Sequence, residues 1–391
     1  QFEEGRTLVV EEGQYHNYGM AWGDIDGDAD LDLIVTGYEM GRHFALWRND
    51  GGLNFTQITE SAGIQGDVGG RGAVFSDLDH DGDLDLYICR GAVFGPGNPQ
   101  GGRSRELPQG GTDEGKNGNP NQVYRNDGAG NFEDVTEEWA LSGRPTGETF
   151  VAVPFDFDYD GFRDLYVVHD WGADQLFRNP GMSGPWEDVS AQYLGENYTT
   201  IMGVAIADFN GDGRWDMYGT QISEDPDVLY VQNDQNRFVN VYQETISGAL
   251  DQSRQTKGWG VSLSDLDNDG DLDVINASSF HDYSVDTDEE GYLIGRMVVL
   301  QHERSAVTNR SLLVDVTEGA GEVMQRTVDG WGLAVGDIDN NGTLDVLVGV
   351  EGYEIPRTLV NDQITPLLLI NDSPTAQSNG HLTIRLSQPE T

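Results

Sequence analysis

Apolar and polar residues alternate along most of this chain with period two. Segments such as GMAWGD (19 to 24) and LDLIVTGY (31 to 38), or GWGVSLSD (258 to 265) and LDVINAS (272 to 278), place every second side chain on one face. That pattern predicts strands and not helices. Each such pair is followed by a third apolar run, as in ALWRND from 45, QVYRND from 122, QLFRNP from 175, VLYVQND from 228 and LLLIND from 367. Most of these runs end in an Asn-Asp turn. A fourth run follows, as in NFTQIT from 54, NFEDVT from 131, PWEDVS from 185, RFVNVY from 237 and LLVDVT from 312.

Four antiparallel strands recurring every 52 to 79 residues predict an all-β fold, a β-propeller of four-stranded blades. Six blades are favoured, because even the 79-residue interval is too short for two blades of about 50 residues each. A seventh is possible if both termini contribute strands. Only five fourth strands are visible, so a terminal strand, residues 6–12 or 380–386, is expected to close the ring. The whole of 1–391 therefore reads as one propeller domain, with inserted loops at 91–121 and 279–296.

Between the first and second strand of each repeat lies a nine-residue loop with oxygen-bearing side chains on alternate residues. The copies are DIDGDADLD from 24, DLDHDGDLD from 77, DFDYDGFRD from 156, DFNGDGRWD from 208, DLDNDGDLD from 265 and DIDNNGTLD from 337. Oxygens at positions 1, 3, 5 and 9, with a backbone carbonyl at 7, suit a hard cation that takes six to eight oxygen ligands. The candidate ligands are Asp24, Asp26, Asp28 and Asp32; Asp77, Asp79, Asp81 and Asp85; Asp156, Asp158, Asp160 and Asp164. In the second half they are Asp208, Asn210, Asp212 and Asp216; Asp265, Asp267, Asp269 and Asp273; Asp337, Asp339, Asn341 and Asp345. About six structural Ca²⁺ ions are expected, one per loop. Glycine holds position 6 in every copy but the first, which has Ala29. An EF-hand is excluded, because position 12 is never the bidentate Glu and strands flank the loops.

The loops change how the charge reads. They hold 25 of the 68 acidic residues behind a formal net charge of -46, which six divalent cations would bring to about -34. No basic stripe exists to neutralise phosphates, so nucleic acid is an unsuitable partner. No stretch approaches the roughly 20 apolar residues of a membrane-spanning helix. A lone Cys89 in an apolar strand reads as a buried thiol. Loops of this type suit millimolar calcium, so a secreted location, extracellular or periplasmic, is expected.

The run YGMAWGDIDGDADLDLIVTGY, combined with LWRND and NFTQIT, resembles the FG-GAP or VCBS repeat family and, within it, the cartilage acidic protein group. The resemblance covers nearly the whole chain. It implies a calcium-loaded, usually extracellular propeller with its ligands in the six loops.

Aligning the copies on the first Asp brings a further column into register. Six residues upstream stand Tyr18, Arg71, Phe150, Met202, Trp259 and Trp331, followed by small residues such as Gly19, Gly72, Gly203, Gly260 and Gly332. The column begins each inner strand, at the end opposite the calcium loop, and is expected to ring a channel mouth. Second strands return to that end with Arg90, His169, Trp171, His281 and Tyr353, and both inserted loops leave there. Tyr18, Arg71, Arg90, Phe150, His169, Trp171, Trp259, His281, Trp331 and Tyr353 are thus the candidate ligand-binding residues. The same aromatic column would also serve as a plug. His169-Asp170 and His281-Asp282 are not read as dyads, because adjacent strand residues point to opposite faces.

These observations favour a monomeric, secreted binding module for carbohydrate, a small molecule or an extracellular protein. An enzyme using the same pocket, a polysaccharide lyase or a natural-product tailoring enzyme as in related propellers, is the alternative, and a structural or adhesive scaffold is the third. No nucleophile elbow, phosphate loop, zinc spacing or dinucleotide fingerprint selects a reaction.

Overall fold

The computed structural model describes residues 16–38, 45–65, 70–90, 120–142, 148–170, 172–181, 184–195, 199–221, 226–247, 257–279, 297–304, 310–321, 324, 330–350 and 367–372. Six antiparallel sheets follow one another along the chain as β-propeller blades, and among the described residues α-helix is confined to two single turns, Ser190–Tyr193 and Tyr242–Thr245. The chain divides into two compact units, Gln1–Thr200 and Ile201–Thr391, each holding three blades.

In the first unit, blade 1 comprises His16–Gly23, Asp32–Tyr38, Ala45–Asn49 and Phe55–Gln57. Blade 2 comprises Gly70–Ser76, Asp85–Arg90, Gln122–Asn126 and Phe132–Asp134, and blade 3 Glu148–Phe155, Asp164–Asp170, Gln175–Arg178 and Glu187–Asp188. In the second unit, blade 4 comprises Ile201–Ala207, Asp216–Gln221, Val228–Gln232 and Phe238–Asn240. Blade 5 comprises Lys257–Ser264, Asp273–Ser279, Met297–Arg304 and Ser311–Asp315, and a short strand Ile246–Ser247 joins its outer edge in parallel. Blade 6 shows three strands among the described residues, Gly330–Gly336, Asp345–Val350 and Leu367–Leu369. The terminal segments 6–12 and 380–386, expected to supply the closing strand, lie outside the described residues.

Core forms between consecutive blades of a unit. Leu78, Tyr87, Val123, Trp139, Leu165 and Phe177 fill the space between blades 2 and 3, and Phe209, Tyr218, Leu229, Val274 and Val298 that between blades 4 and 5. Second strands in such interiors are covered on both faces: all six residues of Asp85–Arg90 are buried, as are all six of Asp216–Gln221. Blade 1, by contrast, exposes Met20 and Trp22, and blade 6 exposes Leu347, Leu368 and Ile370.

Inner strands of adjacent blades approach backbone to backbone. A Cβ on Gly72 would stand 2.6 Å from the Phe150 carbonyl, and one on Gly203 would collide with that of Trp259. Glycine is required there by space, not by a turn. A threonine hydroxyl sits at two such seams: Thr36 Oγ1 lies 3.1 Å from the carbonyls of both Gly19 and Arg71. Thr220 Oγ1 lies 2.8 Å from the Trp259 carbonyl.

Candidate functional site

Every loop is anchored by its position-9 aspartate, which starts the second strand. One carboxylate oxygen accepts the N–H of loop position 2, as from Ile25, Leu78, Phe157, Phe209, Leu266 and Ile338 at 2.8 to 3.1 Å. The other accepts an N–H at the end of the third strand, from Asn49, Asn126, Asn179, Gln232, His302 and Asn371 at 2.8 to 3.0 Å. The same carboxylate thereby ties three pieces of a blade together. Sequence spacing offered these residues as candidate cation ligands and missed this second role.

The third-strand asparagines reach further. The Asn126 amide donates to the Ile25 carbonyl of the preceding blade at 2.8 Å, Asn179 to Leu78 at 2.8 Å and Asn371 to Leu266 at 2.8 Å. In blade 5 the equivalent residue is His302, which instead stacks on Phe209 of blade 4 with centroids 4.4 Å apart.

Positions 1 and 3 close over position 9. Asp24, Asp26 and Asp32 offer oxygens within 4.8 Å of one another, as do Asp77, Asp79 and Asp85; Asp156, Asp158 and Asp164; and Asp337, Asp339 and Asp345. In the fifth loop the group is Asp265, Asp267 and Asp269, whereas Asn210 interrupts the carboxylates of the fourth. The turn that brings them together needs left-handed backbone at position 6, where Gly82, Gly161, Gly213, Gly270, Gly342 and the lone Ala29 all have positive φ. Position 4 is left-handed too, and it is filled by Gly27, His80, Tyr159, Gly211, Asn268 and Asn340.

These loops fit a hard cation. Burial first, and the position-5 carboxylate second, raise the pKa of Asp26, Asp79, Asp158 and Asp267 above the ordinary range. Burial pushes Asp85, Asp164 and Asp273 up to about 7 and Asp216 to about 6. Asp26 Oδ1 and Asp158 Oδ1 are buried with no hydrogen-bond partner. A divalent cation would satisfy those oxygens and favour the ionised carboxylates.

Two stretches, residues 24–88 and 156–219, match the family described as FG-GAP-like repeat. The chain carries FG-GAP-like repeats. Among solved structures it is similar to the V. cholerae biofilm matrix protein Bap1, with 15% identity and a TM-score of 0.39 over 81% of this chain. The likeness spans 40% of the Bap1 chain. No curated protein matches. No helix among the described residues is long and apolar enough to cross a membrane.

At the other end of the inner strands, the aligned column pairs up. Within the first unit the Arg71 guanidinium lies 4.8 Å from the centroid of the Phe150 ring. Within the second, Trp259 and Trp331 stack with centroids 4.0 Å apart and planes at 30°. All four residues are half-buried. Met202, the remaining member of the column in that unit, is buried. Tyr18 lies in the inner strand of blade 1.

The second-strand candidates separate. Arg90 is buried at the end of its strand, opposite Gly70, and its N–H donates to Asn121 Oδ1 at 2.8 Å. His169 is 2% exposed and both ring nitrogens are engaged, Nδ1 with Thr149 Oγ1 at 3.2 Å and Nε2 with Gln175 Oε1 at 3.0 Å. Since Gln175 uses its amide nitrogen on Asp188, its oxygen accepts from His169, which is then an interior histidine protonated on Nε2. Trp171, His281 and Tyr353 lie outside the described residues, as do 91–119 and 280–296 of the inserted loops.

Sequence reasoning missed a buried tie beside His169. Asp174 receives the Tyr166 hydroxyl at 2.8 Å, the Thr199 hydroxyl at 2.8 Å and the His169 N–H at 3.1 Å. Asp227 takes the Tyr218 hydroxyl at 2.7 Å and the Gln221 N–H at 3.0 Å in the same way. The legible signal was a tyrosine two residues after the position-9 aspartate, coupled to an aspartate just before the third strand.

Proposed function

We propose that this chain is a secreted, calcium-stabilised binding module whose ligand docks at the start of the inner strands, away from the cation loops. The observation that supports it is the Trp259–Trp331 stack. Two half-buried indoles on adjacent strands present a broad, rigid aromatic surface at small conformational cost. Their position rests on the close backbone approach at Gly203 and Gly260, at the end of the inner strands away from the cation loops. Aromatic faces of this kind favour the apolar faces of sugar rings or the side chains of an extracellular protein. The Arg71–Phe150 pair of the first unit adds a cationic, planar surface suited to anionic groups.

Screening the calcium-loaded chain against an array of neutral and acidic oligosaccharides, with indole fluorescence as the readout, tests this. Trp259→Ala and Trp331→Ala are each expected to weaken binding by about 1 to 3 kcal/mol while calcium content stays unchanged. Val239→Ala, at an exposed outer-strand position, is the matched control. Equal losses in all three variants would sink the assignment.

A further inference from the structure

Resting on the reading that the loops hold calcium, we propose that Arg178 and Arg214 are built-in counter-charges that make the third and fourth loops weaker calcium sites than the other four.

In the third loop, Arg178 Nε donates to Asp158 Oδ2 at 2.9 Å, on a carboxylate expected to ligate the ion. The guanidinium is locked there, donating to the Tyr193 hydroxyl at 2.6 Å and lying 5.7 Å from the Phe157 ring centroid and 5.3 Å from that of Tyr193. In the fourth loop, Arg214 Nη2 bonds Asp212 Oδ2 at 2.8 Å, and its Nε donates to the Gln232 carbonyl at 3.1 Å. That loop already has Asn210 in place of one carboxylate. Both loops thus hold a fixed cation at hydrogen-bonding distance from a ligand carboxylate, and the fourth has also lost one carboxylate.

The described arginines near other loops pair elsewhere. Arg48 bonds Asp50, Arg125 bonds Glu133, and Arg304 bonds Asp271 at position 7, where the ion would take a backbone carbonyl; the charges of Arg48 and Arg125 reach Asp26 and Asp79 only through space, without a hydrogen bond to a ligand carboxylate. The fifth loop supplies the internal comparison. Gln301 occupies the third-strand place that Arg178 has in blade 3, and its amide donates to Asp267 Oδ2 at 2.6 Å. Both side chains orient the position-3 carboxylate, but only the arginine brings a positive charge toward a divalent ion. Orientation is therefore common to the two loops, and charge is the difference. Repulsion at that range is expected to weaken calcium binding by about tenfold or more.

Calcium titration calorimetry on the chelator-stripped full chain tests the proposal. Two classes of site are expected, about four tight and about two weak, as the arginine pairing divides the six loops. Arg178→Gln should move one site from the weak to the tight class, a gain of about tenfold, and Gln301→Arg should move one the other way. Arg214→Gln, equally half-buried but with no aromatic ring packed on it, repeats the gain without disturbing the Tyr193 packing. Arg125→Gln, which removes a charge that reaches Asp79 only through space, should shift its site by far less than Arg178→Gln does. Six equivalent sites, or an unaltered isotherm in Arg178→Gln, Arg214→Gln and Gln301→Arg alike, would overturn the inference. No calcium uptake by any variant would overturn the calcium reading itself, and the inference with it.

Discussion

The two units share one backbone plan and carry different chemistry on it. In the first, the Thr36 hydroxyl bonds the Arg71 carbonyl and Gly72 crowds that of Phe150; in the second, the Thr220 hydroxyl bonds the Trp259 carbonyl and Gly260 crowds the backbone of Gly332. The side chains at the column are a cation over a ring in one case and two stacked indoles in the other. What packs the strands is thus separable from what the strands present. The third strands differ in the same sense: Arg48, Arg125 and Arg178 stand beside the loops of the first unit, where the second has Val231, Gln301 and Ile370. The second unit brings its loop-side arginines from other places, Arg214 within the fourth loop onto Asp212 and Arg304 from further along the third strand onto Asp271, so the two units supply protein cations to their loops by different routes.

Removing calcium should give the largest effect and bears directly on that contrast. If each of six sites binds only about tenfold more tightly than ambient calcium requires, linkage gives roughly 1.4 kcal/mol per site and about 8 kcal/mol in all. The melting temperature should fall steeply in chelator. Hydrogen exchange should rise more in residues 337–345, where Ile370 takes the third-strand place, than in 156–164, where Arg178 remains to hold Asp158. Uniform deprotection of all six loops would erase the difference between the units.

A smaller effect belongs to the buried aspartate tie of the first unit. Asp174 is completely buried and its pKa is raised to about 6 by that burial, against about 3.9 for an unfolded chain. The folded state therefore holds the proton more tightly than the unfolded one. The carboxyl favours the fold most below about pH 4, and the contribution is lost as pH rises to about 6, a change of roughly 3 kcal/mol. Asp174→Asn keeps an acceptor for the His169 N–H and should flatten this part of the profile, measured as urea-unfolding free energy from pH 4 to 7. An unchanged slope would place the titration elsewhere.

The smallest effect compares the one irregular loop with its regular counterparts. Ala29 sits at φ 73°, where the fifth loop has Gly270 at 96°. Ala29→Gly should stabilise the first unit by about 1 kcal/mol by relieving left-handed strain. Gly270→Ala should cost a similar amount. Thermal melts at saturating calcium would check both, and a destabilised Ala29→Gly would show that the loop tolerates its Cβ without strain.

Strand period, the six loops, the number of blades and the pairing of Trp259 with Trp331 were all legible in the sequence. Each is a local pattern repeated in register, and alternation or alignment alone exposes it. The place of His169 was not legible, because whether a strand-end histidine faces ligand or core depends on Thr149 and Gln175, which lie on neighbouring strands. Nor was the second role of the position-9 aspartates, whose partners in the third strand stand 15 to 41 residues away and become adjacent only when the blade forms. The sequence by itself determined which residues carry oxygens, aromatic rings and charge, and at what spacing. Only the tertiary structure decided which carboxylates meet an arginine, which meet backbone N–H groups and which are left with a buried, unsatisfied oxygen. Those outcomes turn on angstrom-scale contacts between strands far apart in the chain, and no local periodicity encodes them.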